Sequence, residues 1–218
     1  LVIAALLLSF ISVAQDQEEN SLLWEISGNG LHQPSYLFGT IHMICKEDFI
    51  MPELVKQKFA AAGKVFLEFD MDDPLMQMKM LQLAMLHKGE TLKTIFAKDY
   101  GLIDSFFKNN TSYPLAMFNQ FKPMVVMSML TIKTLSCDST ESYEATFMNM
   151  AKKEGKDIHG LETIEDQMKI FDEIPDSIEV QNLVKMIREY DLQKKQFEEV
   201  VKLYKQQKIF QLQKEIVT

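Results

Sequence analysis

The first third of the chain alternates short apolar runs with glycines and charged clusters, and the rest is apolar mostly at helical spacing. Leu22-Leu23-Trp24-Glu25-Ile26 and the aromatic, apolar run over 36–41 flank Gly28-Asn29-Gly30. That pattern predicts a β-hairpin with a long turn. Pro52 then opens a stretch with Leu54, Val55, Phe59 and Ala62 on one face, closed by Gly63, which predicts a helix over 52–62. Lys64-Val65-Phe66-Leu67-Glu68-Phe69-Asp70 reads as the next strand. The strand over 36–41, the helix and this strand predict a parallel, right-handed βαβ unit.

A helix is expected from Asp72 to about His87, ended by Gly89 and carrying Met76, Met78, Met80 and Met85 among leucines. Short helices are expected over 91–96 and 100–108. The apolar segment 114–135 is interrupted by Lys122, Pro123 and Lys133, so it reads as buried helices and not as a membrane span. A helix over 142–153 follows. Asp157-Ile158-His159-Gly160-Leu161-Glu162 reads as a third short strand, and Thr163 with Asp166 predicts a capping-box-like helix start. The segments 176–190 and 193–207 are charged, amphipathic helices with mostly solvated faces. The expected class is α/β: a small mixed sheet with a βαβ unit and a large helical insertion, 72–156, between its second and third strands.

A net charge of −8 over 218 residues makes nucleic acid an unsuitable partner. Arg188 is the sole arginine, and no glycine-rich phosphate loop is present, which disfavours phosphate-centred chemistry. The fifteen methionines lie on several faces and mix with leucine, so they point to an adaptable apolar core or groove ahead of a copper site. A methionine-rich groove also suits unstructured peptide.

The apolar run over 1–14, closed by Ser12-Val13-Ala14, reads as the remnant of a signal peptide, with Gln15 as the mature start and a protein exported to the periplasm or outside the cell. Any membrane contact would come through that segment left uncleaved. In an exported chain the two cysteines, Cys45 and Cys137, are expected to pair, with two buried free thiols as the alternative.

His42, Glu68 and Glu162 each fall at or just past the end of an expected strand. In a parallel sheet all three would point to one edge, where open α/β sheets place ligands. A neutral imidazole with one or two carboxylates suits a first-row divalent metal with an open position. The structural alternatives are a histidine bonded to a neighbouring strand end, a Glu68–lysine pair, and Glu162 serving the following helix start.

Tyr36-Leu37-Phe38-Gly39-Thr40-Ile41-His42, then Phe66-Leu67-Glu68-Phe69-Asp70, then Gly160-Leu161-Glu162-Thr163 with Gln167, resembles the TraB/GumN family over about 22–218. That family is similar to the Tiki metalloproteases and, more remotely, to erythromycin esterase and the ChaN haem-binding lipoprotein, whose fold the resemblance implies. Gly39 and His42 match its first Gly-x-x-His motif, Glu68 its acidic residue on the following strand, and Glu162 with Gln167 its Leu-Glu-Thr…Gln segment. Ser142-Tyr143-Glu144 resembles a helical motif of bacterial members. The family's second Gly-x-x-His has no counterpart after Thr163, so the C-terminal part of the domain is expected to be missing.

The resemblance implies an exported metal-dependent hydrolase, a peptidase. His42 and Glu68 would be catalytic, and His42, Glu68 and Glu162 would serve a divalent ion of the Mn, Co or Zn kind, Glu162 in a supporting place. Its substrate would be a peptide or small molecule. The alternative is a non-catalytic protein that sequesters peptides or another ligand. Haem binding ranks below both, because no axial-ligand motif is present.

Overall fold

The computed structural model describes residues 20–217, and the expected signal segment, 1–14, lies outside the described residues. Strands β1 (Leu23–Ile26) and β2 (Ser35–Phe38) form the expected antiparallel hairpin, Trp24 opposite Leu37. Its turn runs through Gly28, Asn29 and Gly30 at φ of 87°, 46° and 82°. Three successive left-handed residues demand this Gly-Asn-Gly chemistry, since other side chains clash there.

After β2 the chain forms β3 (Ile44–Cys45), α1 (Glu53–Ala61) and β4 (Lys64–Leu67). Helices α2 (Met76–Leu83), α3 (Leu92–Phe96), α4 (Tyr100–Asn110) and α5 (Pro123–Thr134) make up the insertion. Then come β5 (Thr140–Glu141), α6 (Tyr143–Glu154) and β6 (Asp157–Gly160). The C-terminal portion is helical: α7 (Ile164–Asp172), α8 (Asp176–Arg188), α9 (Tyr190–Lys205) and α10 (Ile209–Val217).

The architecture is mixed α/β, but the strands pair differently from the sequence expectation. Among the described residues they form three two-stranded sheets: β1 with β2, β3 with β5 antiparallel, and β4 with β6 parallel. Strand β4 takes β6 as its partner instead of β2. The β2 edge is spent on the hairpin, which Gly39 extends by donating its amide to the Leu22 carbonyl at 2.8 Å. Strand β6 arrives directly from α6 and places Ile158 beside Val65, both buried in one core. The βαβ crossover is therefore the whole insertion, not α1 alone.

Two apolar clusters result. One gathers Leu22, Ile44, Val55, Phe59, Val65, Leu67, Tyr143, Phe147 and Ile158 under the strands. The other gathers Leu92, Phe96, Ile103, Phe107, Leu115, Val126 and Leu130 of the insertion with Leu183 and Ile187 of α8. Helices α8 and α9 are thus less solvated than their charge suggests: α8 supplies the second cluster, and α9 contributes Val201, Leu203 and Tyr204 to the first. Conversely, α2 buries none of its residues, so its methionines and leucines are surface and not core. Among the described residues no helix is long and apolar enough to cross a membrane.

The paired β3 and β5 bring Cys45 and Cys137 into a disulfide with Cα atoms 5.8 Å apart, as expected for an exported chain. The Thr163 cap is also realised: its hydroxyl oxygen accepts from the Asp166 amide at 3.1 Å.

Candidate active site

The segment that leaves β2 turns toward the first turn of α6 because two of its side chains are bonded there. Thr40 donates its hydroxyl to Glu144 Oε1 at 2.6 Å, and His42 Nδ1 lies 3.2 Å from the same oxygen. The other Glu144 oxygen accepts from the Ser142 hydroxyl at 2.9 Å. Ser142 is also the N-cap of α6, accepting from the Ala145 amide. A carboxylate in the first turn of a helix is further favoured by the exposed amides and the helix dipole.

Glu144 is only 9 % exposed. Burial by itself pushes its carboxyl up, yet the bonds from His42, Thr40 and Ser142 and its own backbone outweigh that and bring it down to about 2. His42 shifts the opposite way. Its hydrogen bond to Glu144 raises it above the ordinary 6.5, partial burial opposes this, and the charges of Glu68 and Glu144 add to the rise.

With Nδ1 committed to Glu144, the Nε2 edge of His42 faces outward, 3.7 Å from Glu68 Oε2. The histidine side chain is 72 % exposed and Glu68 is half-exposed, so the pair sits on an open edge. Glu68 lies one residue past β4, and Glu162 two past β6. The two strand ends are joined by the Glu162 amide, which donates to the Glu68 carbonyl at 3.0 Å. The three expected residues therefore share one edge. His42 and Glu68 meet through their side chains, whereas Glu162 joins them through its backbone and leaves its carboxylate exposed.

Two residues matter here beyond those three. Glu144 orients the imidazole, and the sequence marks it only through the resemblance of Ser142-Tyr143-Glu144 to a helical motif, with no role attached. Gly160 is the other: a Cβ there would lie 2.6 Å from the Asp70 amide nitrogen and 2.8 Å from the Glu162 carbonyl oxygen. Those are backbone atoms that no side-chain rotation can clear. Gly160→Ala is therefore expected to push the 68–70 backbone away from β6 and cost about 2 kcal/mol. Thermal unfolding checks this, and an unchanged melting temperature would show that the strand ends yield freely. Gly39, by contrast, is not a tight spot, since a Cβ there would make ordinary contact with Leu22 at 3.6 Å. Its backbone is fully used, with the carbonyl accepting from the Tyr204 hydroxyl at 3.0 Å.

The remaining histidines do not reach the site. His32 and His87 are exposed, and His159 packs its ring on Phe66, centroids 5.1 Å apart, with a buried, unpartnered Nε2. Among the described residues no group of three or more His, Cys, Asp and Glu side chains is gathered to hold a metal. His42 Nε2 and Glu68 fit two positions of a divalent ion's donor set, with Glu144 behind the imidazole in the place a carboxylate takes behind a metal-ligating histidine. Catalytic sites of this kind take three protein ligands.

The family model for TraB/PrgY/gumN matches residues 22–217. The chain is 39 % identical over 85 residues to metalloprotease TIKI2 of Danio rerio, covering 38 % of this chain. It is 36 % identical over 88 residues to metalloprotease TIKI2 of Xenopus tropicalis, covering 39 % of this chain. The matched stretch spans 16 % of the length of each of these relatives. No solved structure matches.

Proposed function

Because the chain belongs to the TraB/PrgY/gumN family, we propose that its His42–Glu68 edge is part of a metal-dependent hydrolase site acting on peptide bonds. The observation that carries this reading is the imidazole held at Nδ1 by a buried carboxylate, with Nε2 turned to a second carboxylate 3.7 Å away. Such an arrangement fixes the tautomer that leaves Nε2 free to ligate. In this reading His42 and Glu68 are ligands of a divalent ion of the Mn, Co or Zn kind. The alternative role for Glu68 is general base in place of ligand, and Glu162 supports the same edge. The chemistry such an ion supplies is Lewis acidity that acidifies water near neutral pH. The TIKI2 relatives, named metalloproteases, support peptide as the substrate class. The disulfide supports an exported, periplasmic or extracellular protein.

Equilibrium dialysis with Mn, Co and Zn salts, read by elemental analysis, tests this directly. The wild-type chain is expected to retain a divalent ion, and His42→Ala to lose it while keeping a native circular dichroism spectrum and a cooperative melt. Equal retention by both would remove His42 from the ligand set. A second reading, capture of peptide without cleavage, is favoured by the exposed apolar face of α2. It needs no metal, so peptide that binds and stays intact in metal-loaded protein would support it.

A further inference from the structure

Helix α2 follows β4 and the Glu68–Asp73 segment and packs against α7, which starts two residues after Glu162. It is an unusual surface helix, since none of its residues is buried. Leu75, Met78 and Leu81 recur at a spacing of three, so they lie on one stripe, each about half exposed. Leu161, beside Glu162, is 68 % exposed, and Ile170 of α7 is 63 % exposed. An apolar stripe of this kind beside a candidate active site marks a contact surface.

The charges around it are one-sided. Glu68, Asp70, Asp72 and Glu162 lie at the adjoining strand ends, where the Gly160 backbone sits against that of Asp70. Among the described residues none of these four carboxylates forms a close ion pair with a lysine or arginine, and Lys152 acts on Asp72 and Lys79 on Asp70 only from farther away. Lys79, the sole lysine of α2, is occupied by Asp73 at 3.0 Å and by Glu165 at 3.9 Å. An apolar strip bordered by carboxylates that outnumber the lysines near them complements a ligand that is apolar and cationic at once. The thioethers of Met78 and Met80 adapt to varied apolar side chains, which suits a peptide without fixed structure.

We propose that the α2 stripe and the acidic strand ends dock the substrate peptide, and that this peptide combines apolar side chains with a lysine or arginine. The apolar residues cover Leu75, Met78 and Leu81, and the basic side chain lies toward Asp70, Asp72 and Glu162. The proposal rests on the peptide-cleaving reading of the His42–Glu68 edge and specifies its substrate.

The test uses the full chain carrying His42→Ala, so that binding is read without cleavage. The probes are short fluorescent peptides, acetylated at the N-terminus so that only side chains carry positive charge. One is apolar with lysines, one apolar with glutamates, and one polar with lysines. By fluorescence anisotropy the apolar, lysine-containing peptide is expected to bind about tenfold more tightly than either other, an advantage that added salt reduces. Met78→Asp with Leu81→Asp is expected to lower its affinity about tenfold. Asp70→Asn with Asp72→Asn is expected to erase the preference for lysine over glutamate. These side chains are exposed, so native circular dichroism and melting temperature are expected throughout. Equal binding of the basic and acidic peptides, or binding indifferent to the α2 pair, would overturn the proposal.

Cleavage is followed separately, by mass spectrometry, in metal-loaded protein with His42 intact. Docking as expected with the peptide left whole would overturn the hydrolase reading and leave the docking surface standing. Cleavage that ignores the α2 substitutions would overturn the docking surface and leave hydrolysis standing.

Discussion

Replacing Cys45 and Cys137 together by alanine is expected to lower the unfolding free energy by about 4 kcal/mol. The two cysteines are 92 residues apart in sequence, so the bond removes a large share of the freedom of the unfolded chain. The same segments are also joined by the Lys46 amide on the Ser139 carbonyl, by the Tyr143 hydroxyl on the Ile50 backbone, and by Glu144 on Thr40 and His42. The ladder between β3 and β5 is two pairs long, Ile44 with Glu141 and Cys45 with Thr140. It sits two residues beyond His42 on one side and three before Glu144 on the other, so its loss also loosens the two halves of the candidate site. Chemical denaturation of the double variant measures the first effect, and its divalent-ion affinity measures the second. A stability change below about 1 kcal/mol would mean that the unfolded chain is already compact across this loop.

Glu144→Ala is expected to cost about 3 kcal/mol, because it strands Thr40, Ser142 and the raised imidazole of His42 in one step. Glu144→Gln keeps the shape and removes only the charge, and about 2 kcal/mol is expected, solvent reaching His42 having screened part of the interaction. The pH dependence has a definite sign. Glu144 is lowered in the fold from 4.5 to about 2, so its contribution is whole above about pH 4.5 and is lost as pH falls toward 2. His42 is raised, so its contribution is whole below 6.5 and is lost as pH rises through its higher folded value. The advantage of wild type over Glu144→Gln should therefore peak between about pH 4.5 and 6.5 and shrink on both sides. Thermal melts of the two proteins within that range and on both sides of it check this, and a difference independent of pH would show that the contribution is not ionic.

How much of this was legible in the chain divides along the reach of the interactions. The hairpin was readable because Gly28-Asn29-Gly30 carries its own turn chemistry, and the α7 cap because Thr163 and Asp166 are three residues apart. Glu68 and Glu162 just past β4 and β6 were readable from apolar runs, whereas His42 lies four residues past β2, in a loop outside the parallel sheet expected to hold it. The pairing of β4 was not, because nothing local distinguishes β2 from β6 as its neighbour. That choice depends on Ile158 sharing a core with Val65 once α6 has packed. Glu144 was hidden for the same reason. Two residues past a capping serine, it looks like an ordinary first-turn carboxylate, and its partners Thr40 and His42 lie about a hundred residues away. The methionines of α2 left core and groove both open, and the structure excludes the core. Their spacing suits a buried face as well as a surface one, and only the neighbouring elements decide between them.

The long crossover between β4 and β6 also dictates an order of events. Helices α3, α4 and α5 touch one another, and such near contacts close quickly, while α8 must arrive to complete their cluster. The β4–β6 ladder joins Lys64 to Asp157, and Glu144 reaches back to Thr40 and His42. These closures must wait until the insertion between them has compacted, since each otherwise fixes the ends of a long, fluctuating loop. The candidate site is then among the last features to appear as the chain folds. It is also among the first to come apart in any partial opening that spares the helices, and in a newly made chain even the helical lobe stays open until α8 has been made.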